Sequence, residues 1–256
     1  MVGKIIRAII PAKWRPITYL IDQTIRETQC KVRQGPFAGM NYVRQAYYSA
    51  YIPKLLGIYE RELTGAIAEV CRMKPAKVID VGAAEGYYAV GLARLLPDAR
   101  IIAYEMTDTG QALLREMCRI NNVTSQVEIR GRCDRPELES ILADGQSALV
   151  VCDCEGFEAI LLDPLRVPAL RFASVLVESH DCFLPGLKEE LAERFKATHD
   201  IEMFASTERD ASEYPFNNAY VRALPKSYRA WAVSEWRPEV MYWLWMKPKG
   251  PSEATH

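Results

Sequence analysis

Apolar and polar positions along the chain alternate between two rhythms from residue 77 onward. "KVIDVG" is a short β-branched run that stops at a glycine, and "YYAVGLARLL" follows with helical spacing and ends at Pro97. The pair then repeats: "ARIIAYE" before "TGQALLREMCRINN", "QVEIRG" before "PELESILAD", and "SALVVCD" before the short "EAILL". "FASVLVES" precedes "GLKEELAERF", "DIEMFAS" gives a sixth strand, and "VMYWLWMKP" reads as a last, long one. Strands that alternate with helices at this interval predict an α/β fold, doubly wound around a mostly parallel sheet. Right-handed crossovers then place helices on both faces.

Upstream, Leu55, Leu56, Tyr59, Leu63, Ile67 and Val70 recur at three- and four-residue steps, which predicts one amphipathic helix from Tyr51 to Met73. Residues 34–42, "QGPFAGMNY", form a turn-rich lead-in. The expected organisation is a basic arm over 1–33, a helical cap over 34–75, the main domain over 76–248 and a frayed tail over 249–256.

Composition changes this picture little. The chain has 256 residues, is 49% hydrophobic and 25% charged, and carries a formal net charge of −1, which suits a globular domain and predicts no nucleic-acid partner. The charge is uneven, because residues 1–33 hold Lys4, Arg7, Lys13, Arg15, Arg26, Lys31 and Arg33 against only Asp22 and Glu27. Two readings of this arm remain: a weak contact with acidic lipid, or an arm folded back on the domain. The second is favoured, since Pro11 and Pro16 interrupt any long helix. No stretch is apolar for long enough to cross a bilayer. Seven scattered cysteines without a secretory pattern point to free thiols and a cytoplasmic setting.

The candidate chemistry lies at the predicted strand ends. The first strand–helix turn, "DVGAAEG", places small residues at Gly82, Ala84 and Gly86 and an acid at Glu85. A dinucleotide turn, G-x-G-x-x-G, is one residue longer and leaves open N–H groups for a diphosphate. Glu85 would repel a diphosphate and attract an ammonium group. Nineteen residues beyond Gly86 the second strand ends in Glu105, where a carboxylate can accept both hydroxyls of a ribose. A nucleoside that carries an amino acid, S-adenosylmethionine, satisfies both features.

At the fourth strand end stands "VCDCEGFE", and at the fifth "ESHDC". Cys152 and Cys154 with His180 and Cys182 would make a zinc set, but C-x-C on a strand is an uncommon zinc spacing; Glu178 and Asp153 could also bind Mg2+ with waters, which is not favoured, and no metal is expected. A Cys152–Cys154 disulfide would need an awkward geometry. Both thiols are expected to pack as small apolar residues, with Asp153 on the opposite face. Glu155 either helps hold a ligand or caps the next helix. Candidate groups to take a proton from an acceptor are His180, Asp153 and Glu178, with His180 preferred because its ordinary pKa lies near neutrality.

"VIDVGAAEGYYAVGLA" resembles motif I of class I S-adenosylmethionine-dependent methyltransferases. "VVCDCEGFEAILLDP" resembles the D-x-E-G-x-E stretch of their FkbM-like bacterial branch, and "GPFAGMNY", "PKLLGIYERELTGAI" and "VLVESHD" are similar to segments of that branch. The likeness spans roughly residues 34–247. It implies a seven-stranded sheet of order 3-2-1-4-5-7-6 with the seventh strand antiparallel, and S-adenosylmethionine as cofactor. It also implies that Asp80, Gly82, Ala84, Glu85 and Gly86 hold the methionine end, that Glu105 holds the ribose and that Met106 lies beside the adenine. Cys133 and Asp134 would sit near the adenine amino group, and Asp153 under the methyl group. The implied activity is O-methylation of a sugar, glycoconjugate or small metabolite, gripped by residues 34–60 and 206–240, where Trp231 or Trp236 would stack on a ring. A module that binds S-adenosylmethionine without catalysis is the alternative, and a nicotinamide oxidoreductase is disfavoured by the shortened turn.

Overall fold

A computed structural model describes residues 15–45 and 50–250. The first fourteen residues, most of the basic arm, lie outside the described residues, as do 251–256 of the tail. Two compact units emerge. One combines residues up to Arg61 with Thr207–Arg237, and the other combines Glu62–Ser206 with the chain from Pro238 onward.

The larger unit contains the sheet. Strands β1 (Lys77–Val81), β2 (Arg100–Tyr104), β3 (Val127–Arg130), β4 (Ala148–Cys152), β5 (Ser174–Ser179), β6 (His199–Ala205) and β7 (Tyr242–Pro248) stand in the order β3-β2-β1-β4-β5-β7-β6. The first five pair in parallel, and β7 runs antiparallel to both β5 and β6. This is the doubly wound seven-stranded order that the sequence reading expects.

The central strands are buried along their whole length, so they carry unbroken apolar runs instead of an alternating pattern. Ile79 pairs with Ile102 on one side and Val150 on the other, and all three are fully buried. The Trp245 indole on β7 is buried and donates to Glu69 at 2.8 Å, while Lys247 pairs with the same carboxylate at 3.0 Å.

The smaller unit is built on α1 (Pro16–Thr28), α2 (Tyr51–Leu56), α9 (Ala219–Ala223) and α10 (Lys226–Val233). Pro16 occupies the first turn of α1, where its missing N–H costs nothing. Leu20, Ile52, Leu56, Ile58, Tyr214, Val221 and Val233 form its core. The Tyr214 hydroxyl donates to the Leu20 carbonyl at 3.1 Å, tying residues far apart in sequence. A second tie is buried ionic: Arg209 donates to the Ile58 carbonyl and pairs with Glu235 at 2.6 Å, and Arg237 pairs with Glu60 at 2.6 Å.

The single helix expected from Tyr51 to Met73 is a correction. The chain forms α2, a bend, a 3-10 turn over Arg61–Leu63, and α3 (Thr64–Met73). Gly57 ends α2 at φ +72°, and a Cβ there would stand 2.0 Å from the carbonyl oxygen of Gln34. That close backbone approach requires a glycine and breaks a spacing that otherwise reads as continuous.

Remaining helices of the larger unit are α4 (Tyr87–Leu95), α5 (Asp108–Ile120), α6 (Arg135–Leu142), α7 (Glu158–Leu161) and α8 (Leu187–Phe195). No helix among the described residues is long and apolar enough to cross a membrane.

Candidate active site at the carboxyl ends of the strands

Parallel strands that all point one way deliver their carboxyl ends to one edge of the sheet, and the strand order reverses between β1 and β4. An acid stands at or near this end of each of the five parallel strands: Asp80 in β1, Glu105 after β2, Asp134 after β3, Asp153 after β4 and Glu178 in β5. Asp80, Glu105 and Glu178 are buried, and so is Glu85 in the β1–α4 turn.

The turn from Asp80 to Gly86 is held by its own hydrogen bonds. Gly82 and Ala83 donate to the Tyr104 carbonyl at 3.0 and 2.9 Å, and Gly86 donates to Ala83 at 2.7 Å. Ala84, at φ +47°, donates to Oε2 of Glu105 at 3.0 Å. Most of its N–H groups are therefore committed within the protein, which leaves no cradle for a diphosphate. Gly82 has a packing reason for its identity: a Cβ there would lie 1.7 Å from the carbonyl oxygen of Asp153, so the turn and the exit of β4 touch backbone to backbone.

Glu105 does more than the sequence suggests. Its Oε1 accepts from the Thr107 N–H at 2.8 Å and the Thr107 hydroxyl at 2.6 Å, while Oε2 accepts from Ala84. A carboxylate offers about four acceptor positions. Three are taken, so the expectation of two free oxygens for a ribose is corrected to one position on Oε2. Gly110 leaves room for this carboxylate, since a Cβ there would come within 2.6 Å of it. Thr107 and Gly110 escaped the sequence reading, although Thr107 also caps α5.

Met106 is 72% exposed beside Glu105, an apolar side chain presented at the sheet edge. The two residues expected after β3 behave differently from each other. Asp134 is exposed and caps α6 by accepting from the Glu137 N–H at 3.0 Å. The Cys133 side chain lies in the hydrophobic core, and burial pushes its thiol up to about 12. That corrects Cys133 to a residue that can meet a ligand only through its backbone.

The exits of β4 and β5 bring His180 together with its acidic neighbours. Nδ1 of His180 lies 2.9 Å from Oε1 of Glu158, and Nε2 lies 3.5 Å from Asp153 and 3.7 Å from Glu178. Burial alone would lower the imidazole pKa. The hydrogen bond to Glu158 and the charges of Asp153, Glu158 and Glu178 outweigh it and push the value up to about 9. A raised value disfavours His180 as a proton acceptor near neutrality, against the preference given to it from the sequence. Asp153 and Glu178, the other two candidates, lie within 3.7 Å of the imidazole.

Glu158 went unnoticed in the sequence. It opens α7, is fully buried, and accepts from the Cys154 N–H at 2.8 Å as well as facing His180. α7 has no side-chain cap, so Glu155, at φ +56° in the turn, does not cap it. Cys152 and Cys154 are free thiols 3.4 Å apart, packed in or against the core as expected. Their mutual hydrogen bond and burial hold the Cys152 thiol well above its ordinary pKa. Among the described residues the donors that converge are Asp153, Glu158 and His180, not the cysteines.

No family model matches the chain, and no curated protein matches it. Solved structures with similar folds include the O-methyltransferase TomG from Streptomyces achromogenes, in complex with SAM, at 13% identity and TM-score 0.48, covering 97% of this chain and 96% of that one. The O-methyltransferase from Bacillus cereus, in complex with SAH, gives 10% identity and TM-score 0.46 with 96% of each chain covered. Precorrin-6y C5,15-methyltransferase from Geobacter metallireducens gives 14% and 0.45, covering 71% of this chain and 87% of its own. Likenesses this remote carry no functional argument, and the chain's own residues must supply one.

Proposed function

We propose that this chain is an S-adenosylmethionine-dependent methyltransferase that methylates a hydroxyl group, and that it stands in the FkbM-like branch. The observation that carries this reading is the acidic edge of the sheet combined with a glycine turn whose N–H groups are already used. Such an edge suits a ligand with an ammonium and a sulfonium and repels a dinucleotide's diphosphate. The donor set fits: Asp80 and Glu85 would hold the ammonium end, the remaining position on Glu105 a ribose hydroxyl, and Met106 the adenine face, with Asp134 near its amino group. When bound, the cofactor supplies an activated methyl carbon.

The protein's contribution would then be alignment and proton removal. Asp153 or Glu178 would take the proton from the acceptor hydroxyl, an effect worth about 100- to 10,000-fold. His180 would act as a positioning residue that fixes both. The acceptor is read as a small hydroxylated molecule or glycan. Within the smaller unit, Trp236 is about half exposed and lies 5.1 Å from Trp231 between ring centroids.

The test is a transfer assay with methyl-labelled S-adenosylmethionine against surface polysaccharide extracts and small polyols. Label in an alkali-stable methyl ether supports the reading. Tight cofactor binding with no label in any acceptor class would favour a non-catalytic binding module instead.

A further inference from the structure

We propose that Asp153, Glu158 and His180 form a binding site for a first-row divalent cation where the chain leaves β4 and β5. The proposal stands on donor geometry and does not depend on the cofactor reading above. Each residue comes from a different place: the turn after β4, the first residue of α7, and the residue after β5. The ligand atoms they offer all lie within 4.8 Å of one another, close enough for one ion at about 2.0–2.2 Å from each with small side-chain adjustments.

The second observation is independent of that spacing. Glu158 is fully buried, and its Oε2 has no hydrogen-bond partner. A buried carboxylate oxygen left unanswered is costly, and buried charges in proteins are paired or coordinate metals. A cation at this point would answer it. Glu178, 3.7 Å from the imidazole, adds a third carboxylate beside the site.

The donor chemistry selects the class of ion. One imidazole nitrogen and two carboxylates suit manganese, iron, cobalt or zinc better than magnesium or calcium, which prefer oxygen alone. Phe183 stacks on the His180 ring, with centroids 5.8 Å apart and planes at 11°, and gives that side of the site an apolar face. Asp153 is 31% exposed at its side chain, against 6% for His180 and 0% for Glu158, so water or an oxygen ligand can reach the ion from that direction.

The test uses the full-length chain stripped with a chelator and titrated with Co2+, followed by visible absorption and calorimetry. One equivalent should bind, with a spectrum of nitrogen and oxygen ligands and no thiolate charge-transfer band. Glu158→Gln should weaken binding about 10- to 100-fold, and His180→Gln should do the same if its thermal unfolding matches the parent. Exposed Glu193→Gln on α8 should leave the affinity unchanged. Absence of saturation at one equivalent, a thiolate band, or unaltered affinity in Glu158→Gln would overturn the site. S-adenosylmethionine is titrated into the same preparation: its binding without Co2+ binding removes only the metal site, and Co2+ binding without it supports the site and removes only the cofactor reading.

Discussion

The glycine turn with its glutamate and the exits of β4 and β5 occupy the same edge of one sheet, yet they are finished to different degrees. Around Glu105 the hydrogen-bond donors of the turn and of Thr107 are answered within the protein. Around His180 carboxylates crowd one imidazole, and a buried oxygen of Glu158 goes unanswered. The first region is a turn pinned by hydrogen bonds to Glu105 and to the Tyr104 carbonyl. The second gathers carboxylates around one imidazole, and a cation ligated by that imidazole would displace its extra proton.

The comparison breaks most severely at Gly82. Gly82→Ala drives a Cβ into the Asp153 carbonyl and strains a positive φ, so it should cost on the order of 3 kcal/mol or more in urea unfolding. A loss below about 1 kcal/mol would show that the two regions are not locked together. Next comes Glu105→Gln, whose amide must turn one donor toward the Ala84 or Thr107 N–H. It should lower stability by about 1–3 kcal/mol, because a buried pairing is lost, and weaken S-adenosylmethionine at least about tenfold. Unchanged affinity would remove Glu105 from the ligand.

A smaller effect separates His180 from the other described histidine of the larger unit. His199 is buried, with Nε2 2.9 Å from the Ala173 carbonyl and Nδ1 2.9 Å from the Thr198 hydroxyl, and burial lowers its pKa. A histidine whose folded pKa is depressed contributes its full stability above its unfolded pKa, near 6.5, and loses it as pH falls through that value. The unfolding midpoint should therefore drop between pH 7 and pH 5, and the drop should shrink in His199→Gln. An equal drop in the variant would place the acid sensitivity elsewhere.

Much of the fold was legible because each central strand is a short apolar run closed by a turn, and each helix carries its own period. The glycine turn and Glu105 were legible for the same reason, being local and at a telling distance. What was hidden depends on partners remote in sequence. Gly57 breaks a periodic helix because Gln34 passes close by. Residues 207–237 join the N-terminal segment through Tyr214 and Arg209, which no local pattern announces. Glu158 looked like a helix-opening acid until His180, twenty-two positions later, came to lie against it. The upward pull on the His180 pKa could not be read at all, since it follows from three carboxylates brought in by three different segments.

The most direct measurement is isothermal titration of the full-length chain with S-adenosylmethionine, its demethylated product and NADH in parallel, repeated with Asp80→Asn. The acidic edge predicts one site for both adenosyl compounds, none for NADH, and at least a tenfold loss in the variant. Binding of NADH alone, or equal affinity in parent and variant, would contradict it.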